Sequence, residues 1–366
     1  MSTAVAMTPP ELSGVRVVSP VPRDVWRRVL ATDPSAVATQ RPEWMDCLGT
    51  ARGFVDASRL YQFPDGRTLV LPLAGRVWGG VRVAEESLPY GCGYGGVLAP
   101  GGRLTARDVA TVLADLARRP VIRAGVVPMP LRSPIWQAAA SPVVRRVPYR
   151  TQILDLEGGF EAVWRGRYRS EVRRHVRRAG RMSLEVYQDA TRGVEAFTVL
   201  YRDAIDRWAR LRGQPRWVAH ALAKRRRHVD QLAAAVAALG EACAIWSAYR
   251  AGEPVAACVV LHSGRHAVGW LSANNRDLAR ETGATYLVSS LAIEAACAAG
   301  TRYFHMGESD PGSGVERHKA QFGATAVDYQ ALWIERLPVT RGTENLRILA
   351  AKAALRRERG MTCGTS

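Results

Sequence analysis

Four side chains that can carry or exchange a proton lie close together near the carboxyl end of the sequence. They are His305, Glu308, Asp310 and Lys319. Of the 51 basic residues in the chain, only three are lysines, so a compact ammonium at position 319 stands out against a background of arginine. The histidine and the two carboxyls are candidate general bases. The ordinary alternatives are a histidine buried in the core and acidic residues that decorate a loop.

Motifs for covalent catalysis or metal binding are not evident in the sequence. There is no Gly-x-Ser-x-Gly segment and no paired Cys and His with a third orienting residue, which disfavours a covalent acyl-enzyme. The six cysteines are scattered without a Cys-x-x-Cys pair, so we expect small buried thiols and no metal site. A reaction through a covalent enzyme intermediate is therefore not expected.

The sequence carries a large excess of positive charge. Its 51 basic and 33 acidic residues give a net charge of +18, which favours a polyanionic partner, with nucleic acid as the first candidate. A GC-rich coding bias would explain why arginine replaces lysine, but not the surplus of charge. Because neither a signal peptide nor an apolar run of membrane-spanning length is present, we predict a cytoplasmic protein.

Arginine is concentrated in two segments. The first holds Arg165, Arg167, Arg169, Arg173, Arg174, Arg177 and Arg178. Apolar residues recur through it at helical spacing, which predicts a basic helix. Like charges four residues apart repel, and an anionic partner would relieve that repulsion, the alternative being a solvated charged face. The second segment consists of Lys224, Arg225, Arg226 and Arg227. We predict that it opens a helix that runs to about Leu239.

The elements around these residues predict a mixed α/β (α+β) fold in two parts. We predict a disordered tail over residues 1–14, domains over 15–155 and 156–340, and a basic helix and tail over 341–366. In the first domain the glycine-rich segment Ser87–Leu98 suits a loop whose backbone approaches another group, or a plain connection. The second domain reads as a strand, helices, a three-stranded meander, a helix, a strand, a loop and a strand.

That order of elements resembles the GNAT acyltransferase fold, in which a mixed sheet opens to admit an acyl donor. Members that use acyl-CoA carry the pattern Arg/Gln-x-x-Gly-x-Gly/Ala, and its backbone amides hold a pyrophosphate at a helix start. Here Arg280 and Gly283 fit the pattern, but Thr285 fills the last small position and Glu281 adds a negative charge. The sequence predicts a weakened phosphate site.

Residues 160–337 resemble the Fem-type branch of this superfamily more closely, and Ser87–Leu98 resembles it weakly. The similar segments are Trp164 with the basic helix after it, the turn Gly252–Ala256, the helix start Thr282–Leu287, the strand Gly300–Gly307, and His318–Ala324, which is similar to the family's Phe-Lys-x-x-Phe-Gly motif. The resemblance implies two GNAT-like domains, with a mixed, mostly antiparallel sheet flanked by helices. It also implies that Lys319 works at the acceptor end of a tRNA or beside the reacting ester.

From this resemblance we predict an aminoacyltransferase that moves an amino acid from aminoacyl-tRNA to an amine, with no other cofactor. The acceptor would be a small molecule or peptide of antibiotic or peptidoglycan-precursor biosynthesis, and both arginine-rich segments would hold the tRNA backbone. The candidate catalytic residues are Lys319, Glu308 and His305, and the candidate substrate contacts are Tyr90, Tyr94, Trp270, Tyr286 and Phe322.

Two other functions are compatible with the sequence. An acyl-CoA-dependent GNAT N-acyltransferase would hold its pyrophosphate with Arg280 and Gly283. A non-catalytic RNA-binding protein would keep the fold and the charge without the transfer chemistry.

Overall fold

The computed structural model describes residues 14–89 and 91–337. Its strands are β1 (Arg16–Val18), β2 (Val55–Asp56), β3 (Arg59–Gln62), β4 (Thr68–Leu71), β5 (Ala74–Trp78), β6 (Val81–Ser87), β7 (Arg123–Val126), β8 (Arg145–Asp155), β9 (Glu185–Gln188), β10 (Cys243–Arg250), β11 (Glu253–Ser263), β12 (His266–Asn274), β13 (Tyr303–Glu308) and β14 (Thr325–Glu335). Its helices are α1 (Arg23–Thr32), α2 (Pro42–Arg52), α3 (Ala106–Arg118), α4 (Ser133–Ala139), α5 (Gly159–Ala162), α6 (Ser170–Ala179), α7 (Ala190–Leu211), α8 (Arg216–Arg226), α9 (His228–Leu239), α10 (Arg276–Thr282), α11 (Ala284–Ala298) and α12 (Gly314–Gln321).

One long sheet runs through both halves of the described chain. Its eleven strands have the order β2-β5-β6-β7-β14-β8-β13-β12-β11-β10-β9, and β1, β3 and β4 form a smaller sheet. Neighbours in the long sheet are antiparallel except for two parallel pairs, β6 with β7 and β12 with β13. A parallel pair needs a crossover connection, which α3 supplies in the first half and α11 in the second. The predicted mixed, mostly antiparallel sheet flanked by helices is confirmed.

The two halves are joined at the centre of the sheet. Strand β8 pairs with both β13 and β14, and β14 also pairs with β7. The sheet of the first half is therefore continued by the last described strand of the second half. The predicted domain boundary at residue 155 coincides with the end of β8, and it stays a prediction.

Helices cover both faces of the second half of the sheet. Along β11, Val259 and Leu261 pack with α7 on one face, whereas Val260 packs with α11 on the other. Successive side chains of a strand point to opposite faces, so a strand buried on both faces has a continuous apolar run. Each such buried side chain stabilises the fold by about 1.5–3 kcal/mol. These two helical layers pack the central strands of the second half from both faces.

The predicted basic helix is interrupted at Tyr168. A π-helical turn ends at Arg167, and α6 begins at Ser170 after an extended residue, Arg169. The cause is tertiary, because Tyr168 is buried and its ring lies 5.2 Å from that of Phe322. The chain must turn inward there, which an uninterrupted helix would not allow.

Two other expectations about helices are wrong. The cluster Lys224–Arg227 ends α8 instead of opening the next helix, because Arg227 adopts a left-handed conformation with φ of 51° between α8 and α9. The predicted loop between the last two strands contains α12, which carries Lys319. The expectations for residues 1–13 and for the basic helix and tail over 341–366 lie outside the described residues. No described helix is long and apolar enough to cross a membrane.

Candidate active site

Strands β12 and β13 separate soon after they begin. They pair from His266 to Val268 on β12 and from Tyr303 to His305 on β13. Beyond that point the register of β13 against β8 shifts before Glu308, and Gly307 has φ of 78°, a left-handed conformation that favours glycine. A β-bulge of this kind bends a strand and redirects its side chains. The divergence leaves room for a ligand beside Gly307 and Glu308.

A cavity of about 990 Å³, the large cavity, lies in this opening. Its walls come from β11, β12, β13, α10, α11 and α12, together with His175 of α6. The charged side chains among its described lining residues are Arg276, Arg280, Arg317, Lys319 and Glu308. Positive charge predominates, so the large cavity favours an extended anionic ligand.

A second cavity of about 140 Å³, the small cavity, lies against the same bend in β13. It is bounded by the glycine-rich loop of the first half and by β8, β12, β13 and β14. Four residues line both cavities, namely Gly269, Trp270, Gly307 and Glu308. Glu308 is the charged side chain at this junction, where groups bound in the two cavities would meet.

Hydrogen bonding and burial set the state of Glu308. The Tyr329 hydroxyl of β14 donates a hydrogen bond to its Oε1 atom. Burial raises the pKa of Glu308, and the hydrogen bond from Tyr329 and the charge of Lys319 oppose the rise. Much of its surface stays accessible because it faces the cavities. A carboxylate with a raised pKa is a better proton acceptor near neutral pH.

Lys319 projects from α12 toward the bend in β13 at Gly307. Its Nζ donates hydrogen bonds to the carbonyl oxygens of Gly307 at 2.7 Å and Glu308 at 2.8 Å. An ammonium has three N–H donors, so one remains for a group in the large cavity, which Lys319 lines. Burial lowers the pKa of Lys319 to about 8, although the nearby Glu308 favours the charged form. The ammonium is therefore charged at neutral pH.

The neighbours of Lys319 in the motif hold α12 in place. Gln321 accepts a hydrogen bond from the Tyr286 hydroxyl at 2.9 Å. Phe322 is fully buried and stacks on Tyr286, with 5.8 Å between ring centroids. A Cβ at Gly323 would lie 2.5 Å from the carbonyl oxygen of Arg167, so glycine is required there. Phe322 supports Tyr286 from behind and does not line the described part of either cavity, whereas Tyr286 lines the large cavity.

His305 and Asp310 lie apart from this centre. His305 is completely buried, its Nε2 atom lies 3.0 Å from Nδ1 of His266, and it is not part of the described lining of either cavity. Burial, with a smaller contribution from His266, lowers the pKa of His305 to about 3, so the ring is neutral. Asp310 is exposed and is likewise outside the described linings.

The predicted aromatic contacts are divided between the two cavities. Tyr94 lines the small cavity, where its hydroxyl lies 2.7 Å from that of Thr151. Trp270 lines both cavities and packs edge-on against Trp44 at 5.0 Å. Tyr90 lies outside the described residues.

The arginines around α6 fall into two groups. Five engage neighbouring groups: Arg165 pairs with Glu161, Arg167 with the carbonyl of Glu157, Arg173 with those of Trp164 and Tyr168, Arg178 with that of Arg280, and Arg177 lies over the Trp164 ring. Arg169 and Arg174 are exposed, and their side chains make no hydrogen bond or ion pair with the described part of the chain. Since His175 lines the large cavity, α6 borders its entrance.

The second arginine-rich segment lies at the end of α8. Lys224 is exposed, and Arg227 donates to the carbonyl of Ala51 at 2.9 Å. The side chains of Arg225 and Arg226 are outside the described part of the structure.

Several site residues have no recognisable signal in the sequence. Tyr149, Tyr329 and Trp333 come from β8 and β14, and they reach the site because these strands lie side by side at the centre of the sheet. Arg276 and Arg317 look like ordinary surface residues until α10 and α12 bring them to the large cavity.

A parallel strand pair that diverges beside the start of a crossover helix, with a cavity in the opening, is the arrangement of the GNAT-like fold. In agreement, residues 166–320 match the family model described as an acetyltransferase (GNAT) domain. No curated protein matches the sequence.

Solved structures share the fold over most of the chain. FemX has a TM-score of 0.64 at 10% identity, over 89% of this chain and 99% of that one. A conserved protein of unknown function from Bacteroides thetaiotaomicron has a TM-score of 0.52 at 12% identity, over 86% and 97%. The C-terminal domain of a putative lysylphosphatidylglycerol synthetase from Agrobacterium fabrum has a TM-score of 0.50 at 11% identity, over 90% and 94%. The predicted resemblance to the Fem-type, GNAT-like transferases is confirmed.

Proposed function

We propose that this protein is an aminoacyl-tRNA-dependent amino-acid transferase that forms an amide bond on an amine acceptor. The observation that carries the proposal is the position of Glu308 between two cavities of different character. The large, basic cavity suits the acceptor end of a charged tRNA, and the small cavity suits an amine. A carboxylate at their junction can serve both substrates.

Glu308 and Lys319 supply the chemistry. The amine nitrogen attacks the ester carbon of the aminoacyl group, the new C–N bond forms, and a proton passes from the nitrogen to Glu308. The remaining N–H of Lys319 stabilises the oxyanion of the tetrahedral intermediate. The ester C–O bond then breaks, and the ribose hydroxyl leaves with a proton returned by Glu308. Since the ester is already activated, positioning supplies much of the rate.

Two features support a tRNA-borne donor. The net charge of +18 suits a polyanion much larger than the cavity. Arg169 and Arg174 are exposed on the segment that borders the large cavity, where they are available for phosphates outside it. We place the acceptor among the small-molecule or peptide amines of antibiotic or peptidoglycan-precursor biosynthesis, on the resemblance to the Fem type.

The direct test offers the protein a panel of radiolabelled aminoacyl-tRNAs together with a cell extract. We expect label from one class of aminoacyl-tRNA to move into small molecules or peptides, and uncharged tRNA to compete. Saturable binding of acetyl-CoA with no effect of charged or uncharged tRNA would refute the proposal.

Lys319 provides a second test of the same proposal. The variant Lys319→Ala should lose about 10²–10³-fold in kcat, as is typical for removal of one oxyanion donor. Arg107→Ala, at an exposed basic side chain of α3 outside both arginine-rich segments, is the control. A Lys319→Ala protein that binds tRNA and transfers at the normal rate would contradict the role given to this ammonium.

One observation favours acyl-CoA as a second candidate donor. Glu281, which weakens the phosphate pattern, is ion-paired with Arg250 at 2.7 Å, so its charge is partly neutralised, and Arg280 lines the large cavity. The close packing of α6 on this turn argues against a bound pyrophosphate. A Cβ at Gly283 would lie 2.8 Å from the carbonyl oxygen of His175. Competition between acetyl-CoA and aminoacyl-tRNA in the same assay separates the two donors.

A further inference from the structure

We propose that the acceptor presents its amine on an uncharged, apolar group about the size of one six-membered ring, and that the small cavity is the subsite that selects it. This inference rests on the proposed function for the identity of the reaction. The cavity itself can be tested without any donor.

The size of the small cavity limits what can enter. Its volume is about 140 Å³, against about 990 Å³ for the large cavity. An apolar protein cavity of about 150 Å³ accommodates one benzene molecule, so a single ring or a short aliphatic chain fills this space. A nucleotide or a sugar chain does not fit within it.

The walls of the small cavity determine the polarity of its ligand. They are mainly aromatic and aliphatic, with Tyr94, Tyr149, Trp270 and Trp333 supplying the rings. Among the described lining residues there is no lysine or arginine, although the chain has 51 of them. A negatively charged group placed here would lose its hydration without gaining a cationic partner.

The position of Glu308 fixes the orientation of the ligand. It is the acidic residue among the described lining residues, and it lies where the small cavity meets the large one. An alkylammonium in the small cavity is attracted to this carboxylate, and the aromatic faces favour the cation further. The amine therefore points toward the large cavity, with the apolar group directed away from it. This orientation directs the nitrogen at a donor ester, which it can attack after the ammonium has released one proton to solvent.

The two cavities differ in charge, as the two proposed substrates do. Arg276, Arg280 and Arg317 line the large cavity and are not among the residues of the small one. A polyanion is thus directed to one side of Glu308 and a neutral or cationic body to the other. The arrangement selects against an acceptor whose phosphates must lie next to its amine.

Equilibrium binding to the full chain tests the subsite in the absence of donor. The probes are benzylamine, 4-(aminomethyl)benzoate, which adds one carboxylate, and 1-naphthylmethylamine, which adds a second ring. Isothermal titration should show benzylamine binding at least about tenfold more tightly than either of the others, as expected for a pocket that discriminates by one added group. Equal affinities for benzylamine and the carboxylate would overturn the proposal.

Substitutions at Val127, a buried residue in the wall of the small cavity, test its location. Val127→Phe should weaken benzylamine binding about tenfold or more, and Val127→Ala should improve binding of the naphthyl amine relative to benzylamine. Val288→Ala makes the same change in the large cavity and should leave both affinities unchanged. Circular dichroism checks folding, and Val127→Ala keeps the test decisive where the larger residue unfolds the protein.

Transfer assays with the same variants separate the inference from the proposed function. Amine binding that depends on Val127, without transfer from any aminoacyl-tRNA, would refute the function and leave the subsite standing. Transfer from aminoacyl-tRNA solely to polyanionic acceptors would refute the subsite and leave the function standing. A change in donor amino-acid preference, with amine selection unaltered, would assign the small cavity to the donor side chain and overturn the inference.

Discussion

The two parallel strand pairs of the long sheet differ in what lies beyond their last paired residues. After β6 and β7, the N–H of Val127 donates to the carbonyl of Ser87 at 2.6 Å. Gly95 of the glycine-rich loop then donates to the carbonyl of Val127 at 2.7 Å and accepts from Met129 at 3.1 Å. The loop backbone fills the gap in the first half. After β12 and β13 the corresponding gap is the large cavity.

This difference shows that the strand arrangement alone does not make an active site. A Cβ at Gly95 would lie 2.6 Å from the backbone of Ser87, so the closure of the first opening depends on a glycine. In the second half, α12 approaches the opening from the side and supplies Lys319 without filling it. The first half thus contributes a wall of the small cavity, and the second half contributes Glu308 and Lys319.

The largest effect on kcat is expected from removing the charge of Glu308, where the small and large cavities meet. Glu308→Gln should lower kcat by about 10²–10⁴-fold, because the amine loses its proton acceptor. Asp310→Asn, two residues further on and exposed, is the control and should change kcat little. Single-turnover transfer from a labelled aminoacyl-tRNA measures both. A Glu308→Gln enzyme with a rate within fivefold of the native one would show that Glu308 is not the proton acceptor.

The pH dependence of kcat should be bell-shaped. Glu308 must be deprotonated to accept a proton, so the rate rises with pH through its pKa, which burial places above the ordinary value of 4.5. Lys319 must be charged, so the rate falls as pH rises through its pKa of about 8. Rates corrected for spontaneous ester hydrolysis should change about tenfold per pH unit on each limb. An alkaline limb that persists unchanged in Lys319→Arg would assign it to another group.

Adding one methyl group to a glycine in each half tests the comparison directly. Gly95→Ala should lower the free energy of unfolding by about 1–3 kcal/mol, because the new Cβ overlaps the Ser87 backbone. Gly269→Ala places its Cβ 3.4 Å from the carbonyl oxygen of His305, an ordinary contact, and should cost less than about 0.5 kcal/mol. Urea denaturation measures both. Equal free energies of unfolding for the two variants would mean that close packing at Gly95 does not close the gap beyond β6 and β7.

The smallest effect is expected at the entrance of the large cavity. Arg174→Ala should weaken tRNA binding severalfold and reduce the slope of log affinity against log salt by about 1, because one phosphate contact is lost. Arg173→Ala is the matched variant, since Arg173 bonds to backbone carbonyls and its loss should lower stability instead. Filter binding over a range of salt concentrations, with thermal unfolding, distinguishes them. The assignment fails if Arg174→Ala leaves the salt slope unchanged.

Local sequence signals predicted many elements well. Thr105 and Asp108 cap α3 reciprocally, and such a capping pair is a signal of a helix start that can be read from the local sequence. The three-stranded meander was predicted, and its first turn lies at Gly252. The break at Tyr168 could not be predicted, because Phe322, against which it packs, lies far away in the sequence.

The site was predictable only in part for the same reason. Glu308 and Lys319 are near each other in the sequence, and a strand end followed by the motif was enough to single them out. The hydrogen bond from Tyr329 and the small cavity depend on β8 and β14 lying together at the centre of the sheet, which no local pattern specifies. His305 was a plausible base until its burial against His266 was known.

The central place of β14 has a consequence for the nascent chain. The ribosome releases β7 and β8 well before β14, from which they are separated by more than half of the described sequence. Until residues 325–335 emerge, β7 lacks its β14 neighbour and exposes unpaired backbone groups. Tyr329, which orients Glu308, arrives with the same strand. Translation must therefore pass Glu335 before the first half of the sheet is complete and before Tyr329 can donate its hydrogen bond to the Glu308 carboxylate.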